Sequence, residues 1–161
     1  MSQIDMQASG DCKYLIKLFE SCRLKAYPDP KTGGAPWTIG WGHTGPDVAP
    51  TTVWTQQQAD IAFNADLRKF ETGVSGLLKV QVLQCQFDAL VSFAYNCGLQ
   101  ALAGSTLLKL VNAQLAAETC ADQFGLWISR GSPAEKGLRR RRAIERAMFL
   151  GEDWKALYRK I

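Results

Sequence analysis

Glu20 and Asp29 are the residues from which chemistry could start. Glu20 stands at the edge of an apolar stripe, Cys12, Leu15, Ile16 and Phe19, near the end of the helix that this stripe predicts. A carboxyl group there is partly desolvated, which favours its neutral form and suits a general acid. Asp29 is boxed between Pro28 and Pro30, so its backbone is stiff and cannot be helical. An acid fixed on a loop beside an acid at a helix end is what hydrolysis of a glycosidic bond needs. One group protonates the leaving oxygen and the other handles water. Two acids nine residues apart are, taken alone, ordinary solvated surface groups, and the pair acquires meaning only from its surroundings.

Other residues invite a chemical reading beside a plainer one. His43 is the only histidine, which makes a catalytic base tempting. Asp66 falls inside the apolar stripe of a later helix, among Ala62, Phe63 and Phe70, and a carboxylate there needs a partner. The arginine run at 139–142 suggests nucleic acid, although a charge run is ordinarily a solvated helix face. The helical wheel separates its members. Arg141 shares a face with Leu138, Ile144 and Met148, whereas Arg139 and Arg140 point away, and an inward arginine must meet an acid. Asn96, after Tyr95, sits at a helix end, where asparagine is commonly a cap. Trp37, Trp41, Trp127 and Trp154 offer faces for sugar stacking, with core packing favoured for Trp154.

The elements that must position these groups are mostly helical. Ser9 or Asp11 caps the first helix. Residues 27–45 break the helical period with Pro28, Pro30, Gly33, Gly34 and Pro36, followed by the β-type run Trp37-Thr38-Ile39-Gly40-Trp41. This predicts a short hairpin or small sheet with 31–36 as its turn and Trp37 and Trp41 on the face opposite Thr38. Thr55 with Gln58 forms a capping box before the stripe Ala59, Ala62, Phe63, Leu67, Phe70. Phe87, Leu90, Val91 and Ala94 begin another helix, two more are expected around 105–112 and 115–128, and the last starts at Ser132-Pro133-Ala134-Glu135. The pattern is α+β: one domain over 1–161, with a small N-terminal lobe (10–55) carrying the hairpin, a connecting helix (56–72) and a larger helical lobe (73–161).

Bulk properties narrow the field. A chain of 161 residues with 47% hydrophobic and 21% charged residues is an ordinary globular domain, not a disordered or fibrous one. It should bury roughly 70% of its unfolded surface and needs no staples to fold. The most apolar stretch, 89–104, is interrupted by Asn96 and Gln100, and Asp5, Asp11, Lys13, Lys17 and Glu20 leave no signal-peptide core or anchor. A soluble chain that begins life in the cytosol is the expectation. Five cysteines, Cys12, Cys22, Cys85, Cys97 and Cys120, widely spaced and without a CxxC, read as free thiols; with one histidine, a metal site is not expected. A net charge of +4 favours anionic partners such as cell wall, phospholipid or nucleic acid without choosing among them.

The stretch from Glu20 through Asp29 to Thr38-Ile39-Gly40-Trp41-Gly42-His43-Thr44-Gly45 resembles the catalytic stretch of the phage-type lysozymes, the endolysins of glycoside hydrolase family 24. Phe87-Asp88-Ala89-Leu90-Val91-Ser92-Phe93, Ser105-Thr106-Leu107-Leu108, and Gly137-Leu138-Arg139-Arg140-Arg141-Arg142-Ala143 through Phe149-Leu150-Gly151 resemble blocks of its lambdoid-type members, so the likeness covers nearly the whole chain after about Gly10. It implies a lysozyme-like α+β fold and a muramidase that needs no metal or cofactor. Glu20 would protonate the glycosidic oxygen between N-acetylmuramic acid and N-acetylglucosamine. Asp29 would stabilise the oxocarbenium-like transition state and help orient water, and Thr38 would hold that water on the opposite sugar face, giving inversion. His43–Asp66 would be a structural salt bridge and Arg141 would face Glu20. Asn96 would hydrogen-bond the sugar acetamido group, with Tyr95 and Gly42 also at the substrate. The longer spacing from Asp29 to Thr38 than in the shortest members falls in the Gly-rich turn, where a hairpin absorbs length.

The same resemblance implies a monomer with peptidoglycan as substrate, no nucleic acid, and a separate holin-type membrane pore for release from the host cytoplasm to the wall. The outward arginines would face the anionic wall or lipid. Two rivals stand beside it: a lytic transglycosylase, which needs the Glu but no Asp29–Thr38 water site, and a non-catalytic wall- or nucleic-acid-binding module on the same fold. A Cys–His peptidase using Cys97 and His43 is a third, without support from spacing.

Overall fold

Ser9 starts the first helix: its Oγ accepts the Cys12 N–H at 3.3 Å and its carbonyl accepts that of Lys13. From there the computed structural model describes residues 5–161 as eight α-helices, one 3-10 turn and a small sheet. The helices are α1 (Gly10–Glu20), α2 (Gln56–Leu77), α3 (Gln84–Cys97), α4 (Leu99–Ala103), α5 (Thr106–Asn112), α6 (Ala117–Ala121), α7 (Glu135–Phe149) and α8 (Trp154–Lys160), with the 3-10 turn at Phe124–Leu126. The chain divides into two compact units, one of Tyr14–Lys69 and the other of the residues before Tyr14 together with Phe70–Ile161. Both divisions fall inside helices, α1 and α2.

The Tyr14–Lys69 unit carries the sheet. Strands β1 (Arg23–Tyr27), β2 (Thr38–Gly40) and β3 (His43–Thr44) are antiparallel in the order β1-β2-β3, with Tyr27 opposite Thr38 and Ile39 opposite His43. The expected hairpin or small sheet is a three-stranded sheet that begins at Arg23, earlier than its Pro/Gly punctuation suggests. The far edge of β1 is covered by residues 52–54, where Ala26 N–H donates to Thr52 O and Trp54 N–H to Leu24 O. Gly40 (φ +64) and Gly42 (φ +90) turn β2 into β3; a Cβ on Gly40 would meet the Trp54 ring at 3.1 Å. Ile39, Phe63 and Leu67 are the buried apolar centre. Trp41 donates its indole N–H to Asp60 at 2.8 Å, lies edge-on to Phe63 and is covered by the Lys17 ammonium 5.0 Å away, so it serves α2 and is not a free sugar platform.

The other unit is built on α3, buried on every side from Phe87 to Ala94, with the polar Asp88 and Ser92 of that stretch each held by hydrogen bonds. Phe93, Phe124, Phe149 and Trp127 form a chain of ring contacts beside it. Capping signals read correctly where the partners are local. Thr55 and Gln58 exchange hydrogen bonds at 2.8 and 3.2 Å, and Ser105 caps α5 at 3.0 Å. Three expectations need correction. Residues 115–128 do not form one helix: α6 stops at Ala121, and Gly125 and the exposed Leu126 lie in the 3-10 turn, because the buried Cys120, Ala121, Phe124 and Ile128 need only a bent segment. Ser132 does not cap the last long helix; Ala134 holds that position, and Glu135 reaches back to the Gly131 N–H instead. Arg140 does not face outward: its guanidinium stacks 4.2 Å over Tyr158 and donates to the Tyr158 carbonyl.

Candidate active site

Glu20 is the last residue of α1, whose Cys12, Leu15 and Ile16 are fully buried. The helix stops there because Ser21 adopts φ 48, the left-handed conformation. Glu20 is half-buried, and its charge reaches the phenol of Tyr27 at the end of β1. Burial, and then the Glu20 charge, push the Tyr27 hydroxyl above its ordinary range, against the Arg23 guanidinium and a hydrogen bond with the Thr38 hydroxyl. The phenol thus stays protonated at neutral pH. Arg23 lies 4.4 Å over the same ring. Strand pairing of Tyr27 with Thr38 therefore brings Thr38 to the residue that senses Glu20.

Asp29 lies two residues beyond Tyr27 in a turn locked from both ends. Its N–H donates to Gly34 O at 2.9 Å, its carbonyl accepts the Gly33 N–H at 2.8 Å, and its Oδ1 accepts the Lys31 N–H at 2.7 Å. Thr32 Oγ1 closes the same turn onto Ala35 O. The carboxylate is half-buried and one of its oxygens is committed to the turn, which fixes the aim of the other. Glu20, Asp29 and Thr38 thus belong to one unit, carried by a helix end, a rigid turn and a strand start. That set can supply a proton donor, a fixed negative charge and a hydroxyl to hold water. Tyr27 was missed in the sequence because its part depends on strand register.

His43 does not stand free as a base. Its Nδ1 is 2.6 Å from Asp66 Oδ2 and its Nε2 is 3.1 Å from both oxygens of Asp47, with Trp54 beside the ring. Burial lowers its pKa, yet the hydrogen bonds and charges of the two aspartates outweigh this and raise it. The ring clamps β3 to α2 and to the turn holding Asp47. Only Asp47, exposed and four residues away, was not foreseen. Gly42 sits in the β2–β3 turn.

In the other unit, Arg141 and Arg142 are both buried on α7 and share Glu145, which has no exposure at all. Arg141 Nε lies 3.3 Å from Glu145 Oε2 and its Nη2 donates to Ser92 O at 3.1 Å, while Ser92 Oγ donates to Glu145 at 2.5 Å. Arg142 Nη1 donates to Glu145 Oε1 at 2.6 Å and its Nη2 to Asn96 Oδ1. Asn96 is exposed beyond this bond, and Gly98, not Asn96, closes α3. Tyr95 stacks on Phe70 at 5.1 Å. Arg142 had no role of its own in the sequence reading and Glu145 was absent from it, although Glu145 lies four after Arg141 on the same face.

All five cysteines are free thiols. Burial pushes the Cys97 thiol up, the opposite of what a nucleophile needs, and both nitrogens of His43 are committed to carboxylates, so the Cys–His peptidase reading has no support. Among the described residues no group of His, Cys, Asp and Glu is arranged to hold a metal ion, and no helix is long and apolar enough to cross a membrane.

The geometry has known counterparts. An endolysin of Bacillus phage B103 is 45% identical over 146 residues, covering 91% of this chain and 55% of that protein. The endolysin of Salmonella phage P22 is 40% identical, with 90% of this chain and 99% of the relative covered. This chain spans 55–60% of the length of the Bacillus and Lactococcus phage relatives it matches and nearly all of the P22 protein. Among solved structures, the muramidase domain of SpmX from Asticcacaulis excentricus superposes with a TM-score of 0.80 at 34% identity, covering 89% of this chain and 97% of that one. Residues 17–145 match the phage lysozyme family model, a span that takes in Glu20, Asp29, Thr38 and the arginines at 139–142, and this chain belongs to the phage lysozyme family.

Proposed function

We propose that this chain is an endolysin, a muramidase that hydrolyses the β-1,4 bond between N-acetylmuramic acid and N-acetylglucosamine in peptidoglycan. The observation that carries the reading is the pairing of Tyr27 with Thr38 within reach of the Glu20 charge, with Asp29 on a turn locked by its own side chain. In this reading Glu20 donates its proton to the leaving oxygen, while Asp29 faces the positive charge that develops on the sugar and takes the proton that the attacking water gives up. Thr38, its hydroxyl shared with Tyr27, positions the water on the face opposite the leaving group, so the anomeric configuration inverts. No metal or cofactor enters any step. The +4 charge draws the protein to the anionic wall. The reading also includes synthesis in the host cytoplasm, action as a monomer at the wall, and access through a separate holin-type membrane pore.

The test is mass spectrometry of purified peptidoglycan digested by wild type and by Glu20→Gln. Free reducing N-acetylmuramic acid ends, reduced at least about 10³-fold in the variant, are expected for a hydrolase with Glu20 as its acid. Anhydro ends would make the protein a lytic transglycosylase. No cleavage by wild type, on walls that a control muramidase digests, would leave a wall-binding module. Asp29→Asn should retain the fold and lower turnover about 10²-fold or more, read by the release of reducing ends under saturating substrate.

A further inference from the structure

Arg23 opens β1, three residues after Glu20 and two after the left-handed Ser21. Its guanidinium lies 4.4 Å over the Tyr27 ring, although the strand's register is irregular between these two residues. The contact itself, not alternation along the strand, puts Arg23 on the face of the sheet that Tyr27 shares with its cross-strand partner Thr38. The Arg23 and Glu20 charges both reach the Tyr27 phenol, with opposite effects. Yet Arg23 is exposed, and among the described residues it makes no ion pair and no side-chain hydrogen bond. A guanidinium held over an aromatic ring uses its face there and keeps its in-plane N–H donors available, the fork that matches a carboxylate. All of these groups lie within the Tyr14–Lys69 unit.

We propose that Arg23 is a specificity residue that binds a carboxylate on the 3-O-lactyl arm of N-acetylmuramic acid, either the lactyl carboxylate itself or one on the peptide that extends it. This rests on the muramidase reading above and adds a means of telling a muramic acid strand from an uncharged N-acetylglucosamine polymer. Both sugars carry the same acetamido group, and only muramic acid carries the acidic arm. Every bond cut in that reading lies next to such an arm, so a cation held over Tyr27 is placed to meet one. A free surface cation would lose side-chain freedom on binding; the stacked Arg23 has already given up much of it.

The test compares kcat/KM on soluble glycan strands with their carboxylates intact and on the same strands with every carboxylate converted to a methylamide. Wild type should favour the intact strands by about tenfold, chiefly through KM, the worth of one charge-assisted contact at an exposed site. Arg23→Met keeps a side chain over the Tyr27 ring and removes the charge, and should bring the ratio close to unity. Arg23→Lys keeps the charge without the planar fork and should retain part of the preference. Lys25→Gln removes a second exposed cation, two residues along β1, and should leave the ratio as in wild type. A merely structural stack would lower turnover on both substrates together and leave the ratio alone. Strands stripped of peptide by an amidase separate the two sources: a preference kept on them assigns the lactyl carboxylate, and one lost assigns the peptide. Should Arg23→Met not fold, Arg23→Gln is read in its place. No preference in wild type, an unchanged ratio in the Arg23 variant, or an equal loss in Lys25→Gln overturns the proposal. Failure of wild type to cleave either substrate, where a control muramidase succeeds, brings down the muramidase reading and this one with it.

Discussion

Ser21, one residue past the proposed acid, holds a left-handed backbone that costs a non-glycine residue roughly 1–2 kcal/mol. Ser21→Gly removes that cost and gives back part of it through a freer unfolded chain. The melting temperature should rise by about 1–3 °C, measured by circular dichroism. At His43 the sign follows from two opposed shifts. Its pKa is raised, so its contribution is complete below the ordinary histidine value and is lost as pH climbs through the raised one. Asp47 is lowered by its hydrogen bond to His43, so its contribution holds above the ordinary aspartate value and fades as pH falls through the lowered one. The clamp is thus strongest in mildly acidic solution. With a single histidine, the imidazole proton signal in NMR belongs to His43 without assignment, and Asp66→Asn or Asp47→Asn should each bring its midpoint down. An unmoved midpoint in both would mean that the contacts at 2.6 and 3.1 Å do not persist in solution.

Helices α3 and α7 are joined by a buried polar cluster centred on one carboxylate. Glu145 answers both Arg141 and Arg142, so Glu145→Gln should cost about 3–5 kcal/mol, seen as a lower urea midpoint with an unchanged slope. Within α2, Gly73 lies against Leu99: a Cβ there would come within 2.4 Å of the leucine side chain. Gly73→Ala gains about 1 kcal/mol of helix propensity, but the packed Leu99 side chain must give way, so net destabilisation of about 1–2 kcal/mol is expected from thermal melts. At this scale the sequence was legible where the signal is local. The Thr55–Gln58 box, the Ser105 cap and the Pro/Gly punctuation around Asp29 are each written within a few residues. Strand β1 and helix α8 were not seen, since Arg23–Tyr27 is exposed over its first three residues and Trp154–Lys160 is too short to show a period. The wheel found Arg141 and missed Arg142, whose burial depends on Asn96 and Glu145 arriving from different turns of two helices. Tyr27 and Asp47 share that fate: neither has a motif, and both take meaning from register and turn geometry.

Across the whole chain, the resemblance carried by Glu20, Asp29 and the 38–45 motif reached the family, because it rests on residue types at fixed spacing and these are written in the sequence itself. The division of the molecule was less visible, as nothing in hydropathy marks a boundary inside α1. Yet the contacts of the residues before Tyr14 are specific. Ser9 N–H donates to Asp88 at 3.0 Å across 79 positions, Gln84 donates to Gln7 O, and Lys155 meets Asp11 at 2.9 Å across 144 positions. The earliest part of the larger unit is thus completed by some of its last. On a ribosome adding about 5–20 residues per second, Asp11 leaves on the order of ten seconds before Lys155 exists. The Tyr14–Lys69 stretch, by contrast, is uninterrupted in sequence and complete as soon as it emerges. The nascent chain can therefore assemble the part bearing Glu20, Asp29 and Thr38 first, while the larger unit waits for translation to finish.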